Sequence, residues 1–267
     1  MSADMLAFET LSIEPVDEHV AIVRLNRPDA SNALNTQMGR DLVRYFEDIA
    51  LDPKSLRCIV LTGTGDKAFC AGGDLKERRG MTDEAWTRQH VIFERMVRAL
   101  IDCPVPIIGA VNGAAYGGGC EIAGACDFLY AADSARFALT EVTLGIMPGG
   151  GGTQTLPRAV GERRAKELIL TGKPFTAAEA HAWGLVNEMF PPSELLPAAL
   201  ATAARIARNA PISVRQAKLS IHRGLQSSLR DGLALEIEAY NRMVPTEDRR
   251  EGVLAFNEKR TPNFRGK

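Results

Sequence analysis

Residues 104–133 read PVPIIGAVNGAAYGGGCEIAGACDFLYAAD. The opening part, 104–113, is a short apolar strand; GGGCEIAGACD, 117–127, opens a helix; FLYAAD, 128–133, is strand-like again. A buried strand, a glycine turn, a helix and a second strand make the unit of an α/β fold, in which parallel strands are joined by crossovers. The pattern extends upstream. HVAIVRL, 19–25, is a β-branched run that ends at the turn NRPDASN. A helix is predicted from Thr36 to Ala50, with Leu42, Val43, Phe46 and Ile49 at helical spacing. RCIVLTG, 57–63, is a buried strand that enters a loop over 64–77, and Thr82 caps a long helix running to Asp102. RFALTEV, 136–142, reads as a further strand. After Pro191 the texture changes to four consecutive amphipathic helical patterns, so a helical region over 192–267 is expected on a core of 1–191.

Bulk properties narrow the function. The chain has 267 residues, 45% hydrophobic and 24% charged, which suits a folded protein and not a disordered one. A net charge of −1 advertises no broad basic surface to nucleic acid or anionic lipid. The N-terminal residues lack the basic and apolar regions of a signal peptide, and no apolar run is long enough to span a bilayer. Five scattered cysteines without CxxC spacing read as reduced thiols, so a cytoplasmic location is expected, with no disulfide framework and no metal site.

Two loops share one design. FCAGGDLKE, 69–77, and YGGGCE, 116–121, each place glycines between an apolar strand and a helix start. Glycine lets a backbone N–H approach a ligand without a Cβ in the way, and the first N–H groups of a helix are unpaired. Two such groups converging on one oxygen make an oxyanion hole; either loop alone reads first as an ordinary tight turn. Glu121 lies in the first turn after the second loop and Glu141 in FALTEVTLG, both among apolar residues. Taken singly they serve a helix dipole and a solvent-facing strand position; as a pair beside an oxyanion site they suit general acid and base duties. PGGGGTQ, 148–154, resembles an anion-binding helix entry, reads better as a structural turn, and is placed to wall the site.

Other chemistries lack their residues. GxSxG and the phosphate-binding GxxxxGK[ST] are absent, and the four histidines show no paired metal spacing. Cys120, with no histidine beside it, reads as a packed thiol and not a nucleophile.

The ordered set NRPDASNAL, AFCAGGDLKE, AYGGGCEIAGACD, LTEVTLGIMPGGGGTQTLPRAVG and FNEKRTPNFRGK resembles the enoyl-CoA hydratase/isomerase (crotonase) family, from about Val20 to the C-terminus. Within the family it looks most like hydratases of the enoyl-CoA and methylglutaconyl-CoA type. The resemblance implies a crotonase-like spiral of β-β-α repeats with a C-terminal helical trimerisation region, assembled as a homotrimer or a dimer of trimers. It also implies an acyl-CoA substrate whose thioester oxygen sits between the N–H groups of Gly73 and Gly118, two catalytic carboxylates at Glu121 and Glu141, and no separate cofactor. CoA contacts carry over to Ala30, to Ala71, Asp74, Leu75 and Lys76, and to Phe256 and Lys259. Gly73 departs from the alanine common at that position in the family's hydratases, which leaves its N–H in place.

The expected mechanism follows. Glu121, favoured as an anion by a helix N-terminus, takes a proton from the water attacking the β-carbon; Glu141, in greasier surroundings, is held protonated and supplies the α-carbon. An isomerase of the same family needs only one base, and a non-catalytic CoA-ester or RNA-binding protein would need neither glutamate. Acyl selection is expected in the 77–100 region, where a carboxylate-bearing acyl tail would want a cation such as Arg78 or Arg79.

Overall fold

The computed structural model describes residues 8–267; the signal-peptide reading falls in part on the first seven residues, outside that range. One sheet has six strands, in the order β1 (Leu11–Pro15), β2 (Val20–Leu25), β3 (Cys58–Gly63), β5 (Ile107–Val111), β7 (Phe128–Ala132) and β10 (Glu188–Phe190). Only the β1–β2 pair is antiparallel; the remaining neighbours run parallel. A second sheet orders β4 (Ala68–Cys70), β6 (Ala114–Tyr116), β8 (Arg136–Ala138) and β9 (Phe175–Thr176), parallel except at its β8–β9 edge. Consecutive strands therefore alternate between sheets: β3 feeds β4, β5 feeds β6, β7 feeds β8. A helix then returns the chain, and the result is the spiral of β-β-α turns that the sequence resemblance implies.

The helices obey their sequence signals. α1 (Thr36–Leu51) is capped by Asn35, whose side chain accepts from the Met38 N–H at 2.9 Å, and buries Leu42, Val43, Phe46 and Ile49. α2 is the single turn Leu75–Arg78. α3 (Asp83–Ile101) starts as expected at Thr82, whose hydroxyl accepts from the Ala85 N–H at 3.2 Å, and lays Phe93, Met96, Val97 and Leu100 against the core. α4 (Gly118–Gly124), α5 (Gly152–Val160), α6 (Glu162–Thr171) and α7 (Ala177–Ala182) complete the spiral. α8 (Pro192–Ala207) begins where the composition changes, yet its buried Leu195, Ala199, Ala203 and Ala207 belong to the same core as β2, β3 and β5. α9 (Pro211–Gly224), α10 (Leu229–Asn241) and α11 (Glu247–Glu258) follow it, with few buried side chains. Inside, Phe46, Phe69, Phe137, Leu25 and Ile59 are fully buried, each worth about 1.5–3 kcal/mol of transfer free energy.

Two expectations require correction. The segment 64–77 is not one loop: β4 lies within it and α2 begins in it. Strands of two or three residues carry too little periodicity to be read, which is why β4, β6 and β9 of the second sheet escape the sequence. The strand expected over 136–142 stops at Ala138, and Glu141 opens a 3-10 turn, Glu141–Leu144, instead of occupying a pleated position. Its outward orientation by strand alternation therefore does not apply.

Candidate active site

The glycine run 117–119 has separate physical demands at its two ends. Gly117 adopts φ +51°, which L side chains rarely take. At Gly119 a Cβ would lie 2.0 Å from the Cys70 carbonyl oxygen, so α4 can approach β4 only without one. Between them, Gly118 is the first residue of α4, and its N–H has no intrahelical partner. The other glycine loop is held by a strand-like bridge. Leu34 N–H donates to the Gly72 carbonyl at 2.8 Å and Asp74 N–H to the Leu34 carbonyl at 2.9 Å, fixing both neighbours of Gly73. Alternate groups of an extended segment point to opposite sides, so the Gly73 N–H faces away from Leu34. Its nitrogen lies 3.9 Å from where a Gly118 Cβ would stand. Among the described residues neither amide donates to a protein acceptor.

Gly73 and Gly118 line a pocket of about 120 Å³ that Glu121 and Glu141 also line. Glu121 is buried, 6% exposed. Its Oε1 accepts two backbone hydrogen bonds, from Gly150 N–H at 2.7 Å and Gly152 N–H at 2.9 Å, the latter the first residue of α5. The anion-binding helix entry at 148–154 thus exists, and the anion it holds is Glu121 itself. The helix-entry signal is visible in the sequence, where it suggests a wall of the site; the identity of the carboxylate held there carries no sequence signal of its own. Burial nevertheless pushes the Glu121 carboxyl above its ordinary range, with the two N–H donors, His90 and Arg78 opposing. The expectation that a helix end leaves Glu121 readily ionised therefore needs amendment: the helix is α5, and desolvation outweighs it.

Glu141 is half-buried, and its Oε2 is a buried atom without a hydrogen-bond partner. Burial, aided by the charge of Glu121, raises its carboxyl to about 7, against a smaller pull from its own backbone and Arg78. An orphaned buried oxygen is satisfied most simply by carrying the proton itself. Cys120, next in sequence to Glu121, is buried, and desolvation and both glutamates push its thiol upward, away from a thiolate nucleophile.

The remaining residues singled out from the sequence fall into two groups. Ala71, Gly73 and Leu75 line the pocket, and Ala71 N–H donates to the Ser31 carbonyl at 3.1 Å, bringing Ala30 beside this edge. Asp74 has its carboxylate engaged elsewhere: Oδ1 caps α2 through the Lys76 and Glu77 N–H groups at 3.0 and 3.2 Å, and Oδ2 pairs with Arg27 at 2.9 Å. Burial raises the Asp74 carboxyl, but Arg27 and the two N–H groups outweigh it and hold it below its ordinary value. Lys76 is exposed beside the pocket and does not line it. Phe256 and Lys259, at the end of α11, are exposed and are not brought to the pocket by this chain's fold. Of the two arginines considered for acyl selection, Arg78 lines the pocket and Arg79 does not. His90, from α3, also lines it, although the sequence reads it with the other histidines as a surface or satisfied residue. Among the described residues no cluster of three or more His, Cys, Asp or Glu is arranged to hold a metal ion, and no helix is long and apolar enough to cross a membrane.

Comparison with known proteins meets this geometry from outside. The family profile described as enoyl-CoA hydratase/isomerase matches residues 16–267. The short-chain-enoyl-CoA hydratase of Clostridium acetobutylicum is 43% identical over 90% of this chain and 92% of its own length. The 2,3-dehydroadipyl-CoA hydratase of Escherichia coli is 42% identical over 94% of this chain and 96% of its own. Among solved structures, an enoyl-CoA hydratase from Bacillus anthracis superposes with a TM-score of 0.95 at 44% identity, covering 97% of this chain and all of that one.

Proposed function

We infer the reaction from family and site together: the chain belongs to the enoyl-CoA hydratase/isomerase family, and it is an enoyl-CoA hydratase, a hydro-lyase adding water reversibly across the 2,3 double bond of a 2-enoyl-CoA thioester. The observation that carries the assignment of residues is the meeting of two carboxylates of raised proton affinity with two unpaired amides in one pocket. The β-carbon of an enoyl thioester becomes electrophilic only as negative charge collects on the thioester oxygen. In our reading the N–H groups of Gly73 and Gly118 receive that charge, which is worth roughly a hundredfold or more in rate per donor. Glu121, held by Gly150 and Gly152 through Oε1, keeps Oε2 for the attacking water and accepts its proton; a base of raised pKa has more affinity for that proton at neutral pH. Glu141, protonated up to about pH 7, delivers a proton to the α-carbon. Isomerisation needs one proton carrier, so the pairing of both glutamates favours hydration.

The same reading extends to partners. Ala30, Ala71, Asp74, Leu75 and Lys76 would contact CoA, the first four mainly through backbone. Phe256 and Lys259 would join only if a CoA bound elsewhere in an assembly reaches α11. Exposed apolar residues on α9–α11 support self-association of 192–267 as a homotrimer or a dimer of trimers. Two carboxylates and two backbone amides carry this chemistry without a metal or organic cofactor, and unpaired thiols at all five cysteines suit a cytoplasmic location and acyl-CoA degradation there. The test is product analysis. Crotonyl-CoA turned over in heavy-oxygen water should give a 3-hydroxyacyl-CoA labelled at the β-carbon. A shifted double bond without label, or no reaction, would overturn the hydratase reading.

A further inference from the structure

We propose that Arg78 is a specificity-determining residue that recognises a carboxylate on the acyl group, so that the preferred substrates are short enoyl-CoA thioesters ending in a carboxylate. The proposal rests on the hydratase reading for the position of the thioester.

Arg78 is a charged group built into a half-buried wall of the pocket. Its Nε–H donates to Gln89 Oε1 at 2.9 Å, and its guanidinium carbon stacks 4.4 Å from the Trp86 ring centroid and 5.6 Å from that of Phe93. These contacts fix the plane of the fork. They leave both Nη groups without a hydrogen-bond acceptor or an ion-pair partner among the described residues. The adjacent acid is engaged: the two oxygens of Glu77 accept from Thr36 N–H at 3.2 and 2.9 Å, and Oε2 also from Gln89 Nε2 at 2.8 Å. A cation desolvated in this way, and facing the cleft with two free donor groups, matches a carboxylate's geometry better than it matches a hydrocarbon tail.

The departure at Gly73 fits the same purpose. A Cβ there would stand 3.1 Å from Arg78 Nη1, 3.2 Å from Cζ and 3.5 Å from Nη2, so the bare backbone lets the guanidinium pack a few tenths of an ångström closer than a methyl would. The fork consequently packs against the residue whose amide receives the thioester oxygen. Only a few ångströms separate the two anchoring points, which favours an acyl chain on the order of five carbons and disfavours a long one. Glu121 and Glu141 face the same space and would repel an incoming carboxylate, so recognition depends on the guanidinium outweighing them. His90 is the other basic side chain on the pocket wall.

Saturated five-carbon ligands separate this from the reaction itself. Calorimetric titration of the whole protein with glutaryl-CoA and valeryl-CoA compares equal lengths with and without the terminal charge. Wild type should bind glutaryl-CoA roughly tenfold or more tightly than valeryl-CoA. Arg78→Met should erase or invert that ratio, Arg78→Lys should keep part of it, and Arg79→Met should leave it unmoved. Equal affinities in wild type, a ratio unchanged in Arg78→Met, or an equal effect of Arg79→Met would overturn the proposal. Should Arg78→Met fail to fold by circular dichroism, Arg78→Lys decides, since it keeps the charge and loses the fork. Failure to hydrate crotonyl-CoA would remove the reaction, whereas the affinity ratio would still judge Arg78.

Discussion

At Glu141 a buried Oε2 without a partner and a carboxyl raised to about 7 describe the same fact, that this side chain is more comfortable protonated. The folded-state value lies above the ordinary one, so the fold's preference is fully present in acid and is lost as pH rises through about 7. The melting temperature of the wild type should therefore drop between about pH 4.5 and pH 7, and Glu141→Gln should flatten that drop. The same ionisation removes the proton donor, so kcat/KM for hydration should fall above about pH 7, a limb that Glu141→Gln should lack. A melting curve or rate profile in which Glu141→Gln matches the wild type would contradict this. Gly118 matters through its amide alone: Gly118→Pro should abolish turnover, whereas Gly118→Ala, whose Cβ would meet Leu34 at 3.3 Å and the Gly73 nitrogen at 3.9 Å, should retain the donor.

Elements bring these residues into register. The approach of α4 to β4 leaves no room for a methyl at Gly119, so Gly119→Ala should destabilise the protein by about 2 kcal/mol or more, measured by denaturant unfolding. Thr82→Ala, which removes only the α3 cap, should cost about 1 kcal/mol and spare the site. The helices α1 and α3 were legible because each carries a cap and a long amphipathic face. The strands β4, β6 and β9 were not, since two or three residues show no period and their order depends on which sheet each strand joins. Glu121 was legible because a glycine run and a lone acid stand together. Its capture by Gly150 and Gly152 was only half legible, because a helix entry announces that it binds an anion without saying which. His90 gave no signal, since its place on the pocket wall is decided by the packing of α3 against the 149–150 turn.

Across the whole molecule, the exposed apolar side chains gather toward the C-terminus: Ile221, Leu225, Leu229, Leu233, Ile237 and Phe256 are all more than half exposed. A lone chain would present this surface to water, and association would cover it. Sedimentation velocity should therefore show an oligomer, and the paired charges of Leu233→Asp with Ile237→Asp should shift it toward monomer; a wild-type monomer would contradict the assembly. The change in composition at 191 was readable, whereas the burial of α8 in the same core as the spiral was not, since its alanines look alike on an exposed and on a covered face. The catalytic account itself is tested most directly by single-turnover hydration of crotonyl-CoA by Glu121→Gln, Glu141→Gln and the double variant. Acting as one unit, each single change should slow hydration by about a hundredfold or more, and the double should lose far less than the product of the two. Either single variant hydrating at the wild-type rate would contradict the shared chemistry of the two glutamates.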